Sequence, residues 1–90
     1  NLFRPPYGRI RKKQQQALEE VYSIIMWDAL SGDYDQRTTP EKCLQNVRRN
    51  VRNGSIIVFH DSAKAKKNIQ YALPRFIEEA KAEGFKFAKL

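Results

Sequence analysis

Gly54-Ser55-Ile56-Ile57-Val58-Phe59-His60-Asp61-Ser62 decides how the whole chain is read. Four apolar residues run without interruption behind a glycine, and all four are β-branched or aromatic. Such a run predicts a short strand buried on both faces. It delivers His60, the sole histidine, with Asp61 beside it. In open parallel sheets and barrels, the C-terminal ends of strands collect binding and catalytic groups. Imidazole changes charge near neutral pH, so a histidine placed there is a general acid/base candidate. Taken alone, the stretch fits a surface histidine before a turn equally well.

On the N-terminal side of this strand, Thr39-Pro40 signals a helix start, a hydroxyl N-cap followed by proline at the first helical position. Leu44, Val47 and Val51 mark that helix's buried face, and Asn53-Gly54 closes it. On the C-terminal side, Ser62 to Lys67 is polar and reads as a loop. Ile69, Ala72, Leu73, Phe76, Ile77 and Ala80 then form one wide apolar stripe, the clearest helix of the sequence. Pro74 inside it predicts a kink or a new first turn. Gly84 stops the helix, and Phe85 to Leu90 reads as a final strand.

Further upstream, Val21 to Trp27 is apolar and β-prone, a buried strand ending at Asp28. Turn formers follow, Ser31 to Asp35. Ile10 to Glu20 is rich in helix formers, with Ile10, Ala17, Leu18 and Val21 as a modest apolar stripe. Asn1 to Phe3 reads as the end of a strand. It runs into Arg4-Pro5-Pro6-Tyr7-Gly8, where two prolines forbid helix. The order is β-α-β-α-β-α-β. Strands alternating with helices imply an α/β fold, a parallel arc with right-handed crossovers.

The 90 residues suffice for one small domain. Composition is that of a globular chain, 41% hydrophobic and 30% charged. No apolar run approaches the ~20 residues of a membrane span. Asn1 is not a natural chain start, so sequence upstream of it is expected, and the compartment is left open. The single cysteine, Cys43, excludes an internal disulfide and supplies no Cys/His metal spacing. It reads as a small, half-buried helical side chain. A net charge of +7 raises a nucleic-acid module. The basic residues are scattered over three segments without interleaved aromatics, which fits solvated helix faces better than a base-stacking platform.

Three strand ends carry polar clusters: Arg4 to Gly8, Trp27-Asp28 with Asp33-Tyr34, and His60-Asp61. In a parallel sheet these ends share one rim, which brings arginine, carboxylate, aromatic and imidazole groups to one mouth. Taken singly, Arg4 also fits a surface ion pair, Asp33 and Asp35 fit turn formers, and Tyr7 and Trp27 fit core aromatics.

Phe3-Arg4-Pro5-Pro6-Tyr7-Gly8, Trp27 through Asp33-Tyr34, and Ile57-Val58-Phe59-His60-Asp61 resemble, in order, the third, fourth and fifth motifs of the polysaccharide deacetylases. That is the NodB-homology or carbohydrate esterase family four domain. The resemblance covers nearly the whole chain and implies that residues 1–90 are the C-terminal portion of one such domain, a deformed, TIM-like (β/α) barrel. It implies hydrolysis of acetyl groups from N- or O-acetylated sugars, chitin-like or peptidoglycan-like, with a divalent metal, usually zinc. An extracellular or cell-envelope setting is implied with it. His60 would be the general acid, Asp33 would hold its imidazolium, and Arg4 would orient the family's aspartate base. The Tyr7 backbone N–H would help hold the oxyanion, Val58 would line the acetyl pocket, and Tyr34 would pack on the sugar. The first-motif aspartates and the His-x-x-x-His motif have no counterpart here, so the base and the metal ligands are expected outside these residues. The 90 residues alone are expected to be catalytically silent and prone to self-association through an open sheet edge. One departure is Leu30, where the fourth motif has an acidic residue, and it bears on substrate class. A carbohydrate-binding member without catalysis remains an alternative, as does, more remotely, the nucleic-acid module.

Overall fold

Two helices carry the core of the computed structural model, which describes residues Asn1–Leu90. The first, α2, spans Pro40–Asn50. Thr39 is extended ahead of it, and its Oγ1 accepts from the Lys42 N–H at 3.1 Å, the expected cap. The second, α3, spans Lys66–Ala82 and buries Asn68, Ala72, Phe76 and Ala80, every fourth residue. Cys43, Leu44 and Val47 of α2 meet Ala72, Phe76 and Ala80 of α3 in one cluster. Phe76 is its only aromatic ring, set among small side chains. Outside the cluster, Arg48 grips Glu79 with two hydrogen bonds, of 2.5 and 3.0 Å, across the two helices. Proline removes one backbone donor, yet α3 runs through Pro74 as a single helix with no new first turn.

The strands are shorter than the sequence predicts. β1 (Leu2–Phe3) pairs in parallel with β2 (Ser23–Ile24), and β3 (Ala29–Leu30) pairs in parallel with β4 (Ile57–Val58). The expected single arc of four strands is therefore two sheets of two. The expected strand Val21–Trp27 pairs only in its middle. The Val21 and Tyr22 amides donate to the Leu18 carbonyl and are spent on closing the preceding helix. Past Ile25, whose amide donates to the Phe3 carbonyl, the chain changes partner, and the Asp28 and Ala29 amides donate to the Ile56 carbonyl. β3 is thus a strand where the sequence predicts the start of a loop.

β4 is half-buried, not buried on both faces. Side chains alternate along a strand, and Ile57 and Phe59 pack on the helical core. Val58 lies on the other face, which α2 and α3 do not cover. The expected final strand is absent. The Phe85 amide donates to the Ala80 carbonyl and Phe85 packs on the core, but no strand lies beside Lys86–Leu90 to pair with it. The first helix, α1, spans Lys12–Leu18 and buries no residue. Its expected apolar stripe is only half covered, at Ile10 and Leu18.

Candidate functional site

The loop after β3 and the end of β4 build the site. Asp33 is fully buried. Its Oδ2 accepts from the His60 backbone N–H at 2.5 Å, and its Oδ1 lies 2.7 Å from His60 Nδ1. A carboxylate can only accept, so Nδ1 carries the proton in that bond and Nε2 is left for exchange. Two bonds from one carboxylate fix both the strand end and the ring plane. The His60 side chain keeps 41% of its surface exposed. Tyr34, the next residue, sets its ring edge-on to the imidazole with centroids 5.1 Å apart.

A set of buried polar groups holds the Asp33 loop. Ser31 Oγ accepts from the Asp33 N–H at 3.2 Å. Asn46 Nδ2, from α2, donates to the Ser31 carbonyl at 2.8 Å. Asn68 Nδ2, from the first turn of α3, donates to the Asp33 and Thr38 carbonyls at 3.2 and 3.0 Å. No buried side-chain nitrogen or oxygen lacks a partner. The sequence reading passes over Asn46 and Asn68. The available signal was Asn68 itself, a polar residue four positions before Ala72 on the stripe that packs into the core. The Asp28 carboxylate accepts from the Ile56 N–H at 2.6 Å. That bond, with the Ser55 side chain and Arg52 nearby, holds the Asp28 carboxyl below the usual carboxylate range. Burial pushes the Cys43 thiol up, and the neighbouring Asp33 charge adds to it.

Arg4 and Tyr7 make their contacts at the ends of β1 and β2. Arg4 Nε donates to the Ile25 carbonyl at 3.1 Å, and the guanidinium lies 5.7 Å from the centre of the Trp27 ring. Tyr7 is 95% exposed and sits in the left-handed region at φ 57°, a conformation that is costly for a bulky residue. Gly8 follows at φ 66°, and a Cβ there would lie 2.6 Å from the Trp27 ring. Asp33, Tyr34 and His60 thus touch one another, and Arg4 and Gly8 meet the Trp27 ring past the ends of β1 and β2. Val58 lies on β4 two residues before His60. A cleft of about 480 Å³ opens between β1 and α1, lined by Phe3, Pro5, Ile10 and Leu18 among others. It includes none of Asp33, Tyr34 and His60, so the chemistry is assigned by the hydrogen-bonded pair and not by the cavity.

The donors present do not fit the divalent metal that the sequence resemblance implies. Nδ1 of the sole histidine is taken by Asp33, and no three His, Cys, Asp or Glu side chains cluster in a way that could hold an ion.

Short parallel strands backed by helices, with a histidine–carboxylate pair at a strand end, define an α/β protein. No family model matches the sequence. Among curated proteins, the chain is 29% identical over 84 residues to a bifunctional xylanase/xylan deacetylase of Cellvibrio japonicus. It is 27% identical over 88 residues to a peptidoglycan-N-acetylglucosamine deacetylase of Bacillus cereus. These matches cover 92% and 96% of the chain but only 12% and 41% of the relatives. A solved peptidoglycan N-acetylglucosamine deacetylase superposes with a TM-score of 0.84 at 28% identity, over 97% of this chain and 41% of that one. A family four pseudoenzyme of Bacillus anthracis superposes with a TM-score of 0.78 at 28% identity, over 94% and 29%. Sequence and structure agree in what the chain is similar to: polysaccharide and peptidoglycan deacetylases of carbohydrate esterase family four, of which it spans less than half the length.

Proposed function

We propose that this chain supplies the general-acid side and part of the sugar-binding surface of a carbohydrate deacetylase acting on N- or O-acetylated sugars. The observation that carries the reading is the buried Asp33 carboxylate gripping His60 at both its backbone N–H and its ring Nδ1. With Nδ1 held by Asp33, Nε2 of the imidazolium is the atom that faces outward to give up a proton. As the bond from the acetyl carbon to the sugar nitrogen or oxygen breaks, the proton moves from Nε2 to the leaving atom. The imidazolium becomes neutral imidazole, still held by Asp33. Before transfer, the fixed carboxylate offsets the imidazolium charge, and the tether saves the entropy of finding the ring. Tyr34, against the imidazole, forms the wall on which a sugar ring packs, and Val58, ahead of it on β4, borders the acetyl group. The strained backbone at Tyr7 is an expense typical of functional loops, and it presents the N–H for the oxyanion. Arg4 orients a catalytic base. Base and divalent metal, zinc in this reading, belong to residues of the same domain outside these 90, in a deformed barrel that these strands help to form. The target bond lies in an acetylated glycan polymer, as the names of the two curated relatives, a xylan deacetylase and a peptidoglycan-N-acetylglucosamine deacetylase, suggest.

The pseudoenzyme among the structural neighbours favours a second reading, a domain that keeps the fold and the sugar surface without turnover. One experiment separates the two. In the full-length protein, His60→Ala is expected to lower deacetylation of an acetylated chito-oligosaccharide by about 10²–10⁴-fold and to leave zinc affinity by isothermal titration nearly unchanged. Wild-type turnover in the variant, or loss of the metal, sinks the acid assignment. Oligosaccharide binding without turnover in the wild type establishes the second reading.

A further inference from the structure

We infer that Asn68 is a positioning residue for the His60–Asp33 pair, an inference that deepens the reading of His60 as the acid and rests on it for its catalytic consequence. Asn68 is 4% exposed, on a helical face otherwise made of Ala65, Ala72, Phe76 and Ala80. A polar side chain buried there is costly unless it is bonded. One nitrogen, Nδ2, meets two carbonyls of the same loop, those of Asp33 and Thr38. These carbonyls belong to the first residue of the loop's catalytic part and to the last residue before the α2 cap. The amide closes the segment 33–38 as a clasp, with α3 as its rigid backing.

The bond to the Asp33 carbonyl fixes the backbone from which the carboxylate departs. That carboxylate has two tasks on His60 that require one orientation, because Oδ2 takes the backbone N–H while Oδ1 takes Nδ1. A rotation of the Asp33 backbone breaks at least one of them. Ser31 Oγ constrains the Asp33 N–H side, and Asn46 constrains the Ser31 carbonyl. On the carbonyl side of Asp33, Asn68 is the side chain that holds it. Asn68 therefore acts on the imidazole through Asp33 without touching it.

The test reads the imidazole directly. The protein is labelled with ¹⁵N-histidine, and the His60 signals are assigned by their disappearance in His60→Gln. Asn68→Asp keeps the shape and removes the donor, and Asn68→Ser keeps a single, shorter donor. In wild type the Nδ1 proton is expected as a slowly exchanging, hydrogen-bonded resonance. In Asn68→Asp it is lost or exchanges at least ten times faster, and Asn68→Ser falls between. In the active protein, kcat drops about 10-fold or more with KM little changed, as expected for a misplaced catalytic group, and the alkaline limb of the pH–rate profile, the one a general acid governs, moves. A purely structural role would lower the melting temperature and leave the Nδ1 proton and the pH profile as in wild type. That result overturns the inference, as does failure of both variants to fold. Wild-type turnover in His60→Ala together with loss of the Nδ1 proton in Asn68→Asp would refute the acid reading and leave the positioning intact.

Discussion

The two ends of the chain are built differently. From Ala29 onward, α2 and α3 enclose Phe76 in one packed cluster, and the Asp33 loop is tied to both helices by the amides of Asn46 and Asn68. Before Ala29, only Pro5 is buried, α1 covers nothing completely, and Leu2, Val21, Tyr22 and Met26 are exposed. The comparison teaches that the Asp33–His60 pair sits on a scaffold that supports itself, whereas Arg4 and Tyr7 sit on one that does not. In the first region position is set by a packed core. In the second it is set by a few local contacts, chiefly Arg4 on Ile25 and Trp27 and the fit of Gly8 under Trp27.

Phe76→Ala is the largest test of that difference. It should cost about 3–5 kcal/mol, visible in chemical denaturation, and Leu18→Ala in α1 should cost less than about 1 kcal/mol, because Leu18 is only half-buried. Equal costs would mean that α1 belongs to the same cooperative core. Next comes Gly8→Ala. At φ 66° with the Trp27 ring in the way of a Cβ, it should cost about 1–2 kcal/mol and perturb Trp27 fluorescence while leaving the His60 signals alone. Movement of both would join the regions energetically. The uncovered side chains of the first region predict self-association of the 90-residue chain, rising with concentration in light scattering. A monomer at every concentration would show that this surface tolerates water.

The smallest effect is at the seam, where Asp28 caps the Ile56 amide. Its folded pKa is depressed, so its contribution is present above the unfolded value of about 3.9 and is lost as pH falls through the folded value. Asp28→Asn should remove that contribution at neutral pH and flatten the loss of stability below about pH 4. Identical acid profiles for variant and wild type would show that the bond has no bearing on stability.

The contrast also explains what the sequence made legible. Leu44, Val47, Phe76 and Ala80 were readable because a helix writes its buried face into the spacing of its own residues. Thr39 was readable as a cap because capping is local. The strands were not, because a two-residue strand is defined by its neighbour. Phe85–Leu90 has the composition of a strand and no partner, and Ala29–Leu30 has a partner where the sequence suggests a loop. At the site, Asp33 and His60 could be brought together from their order at strand ends. Arg4 was expected on the same mouth from its place at a strand end, and its contacts with the Ile25 carbonyl and the Trp27 ring are at the end of the neighbouring strand. Asn46 and Asn68 escaped notice because their partners are backbone carbonyls, which every residue possesses.

Cys43 gives the packed region a gauge of its own motion. It is fully buried, it is the sole thiol, and its pKa is raised, so it is shielded from alkylating reagents both by access and by the scarcity of thiolate. It also borders Ser31 and Asp33. A reagent can reach it only when α2 and α3 part, and the same parting releases the loop that holds the imidazole. The rate of thiol capture in native conditions therefore counts the openings of the helix pair. Set beside the exchange rate of the Nδ1 proton, it tells whether the proton escapes by the loop yielding alone or by the whole helical pair coming apart.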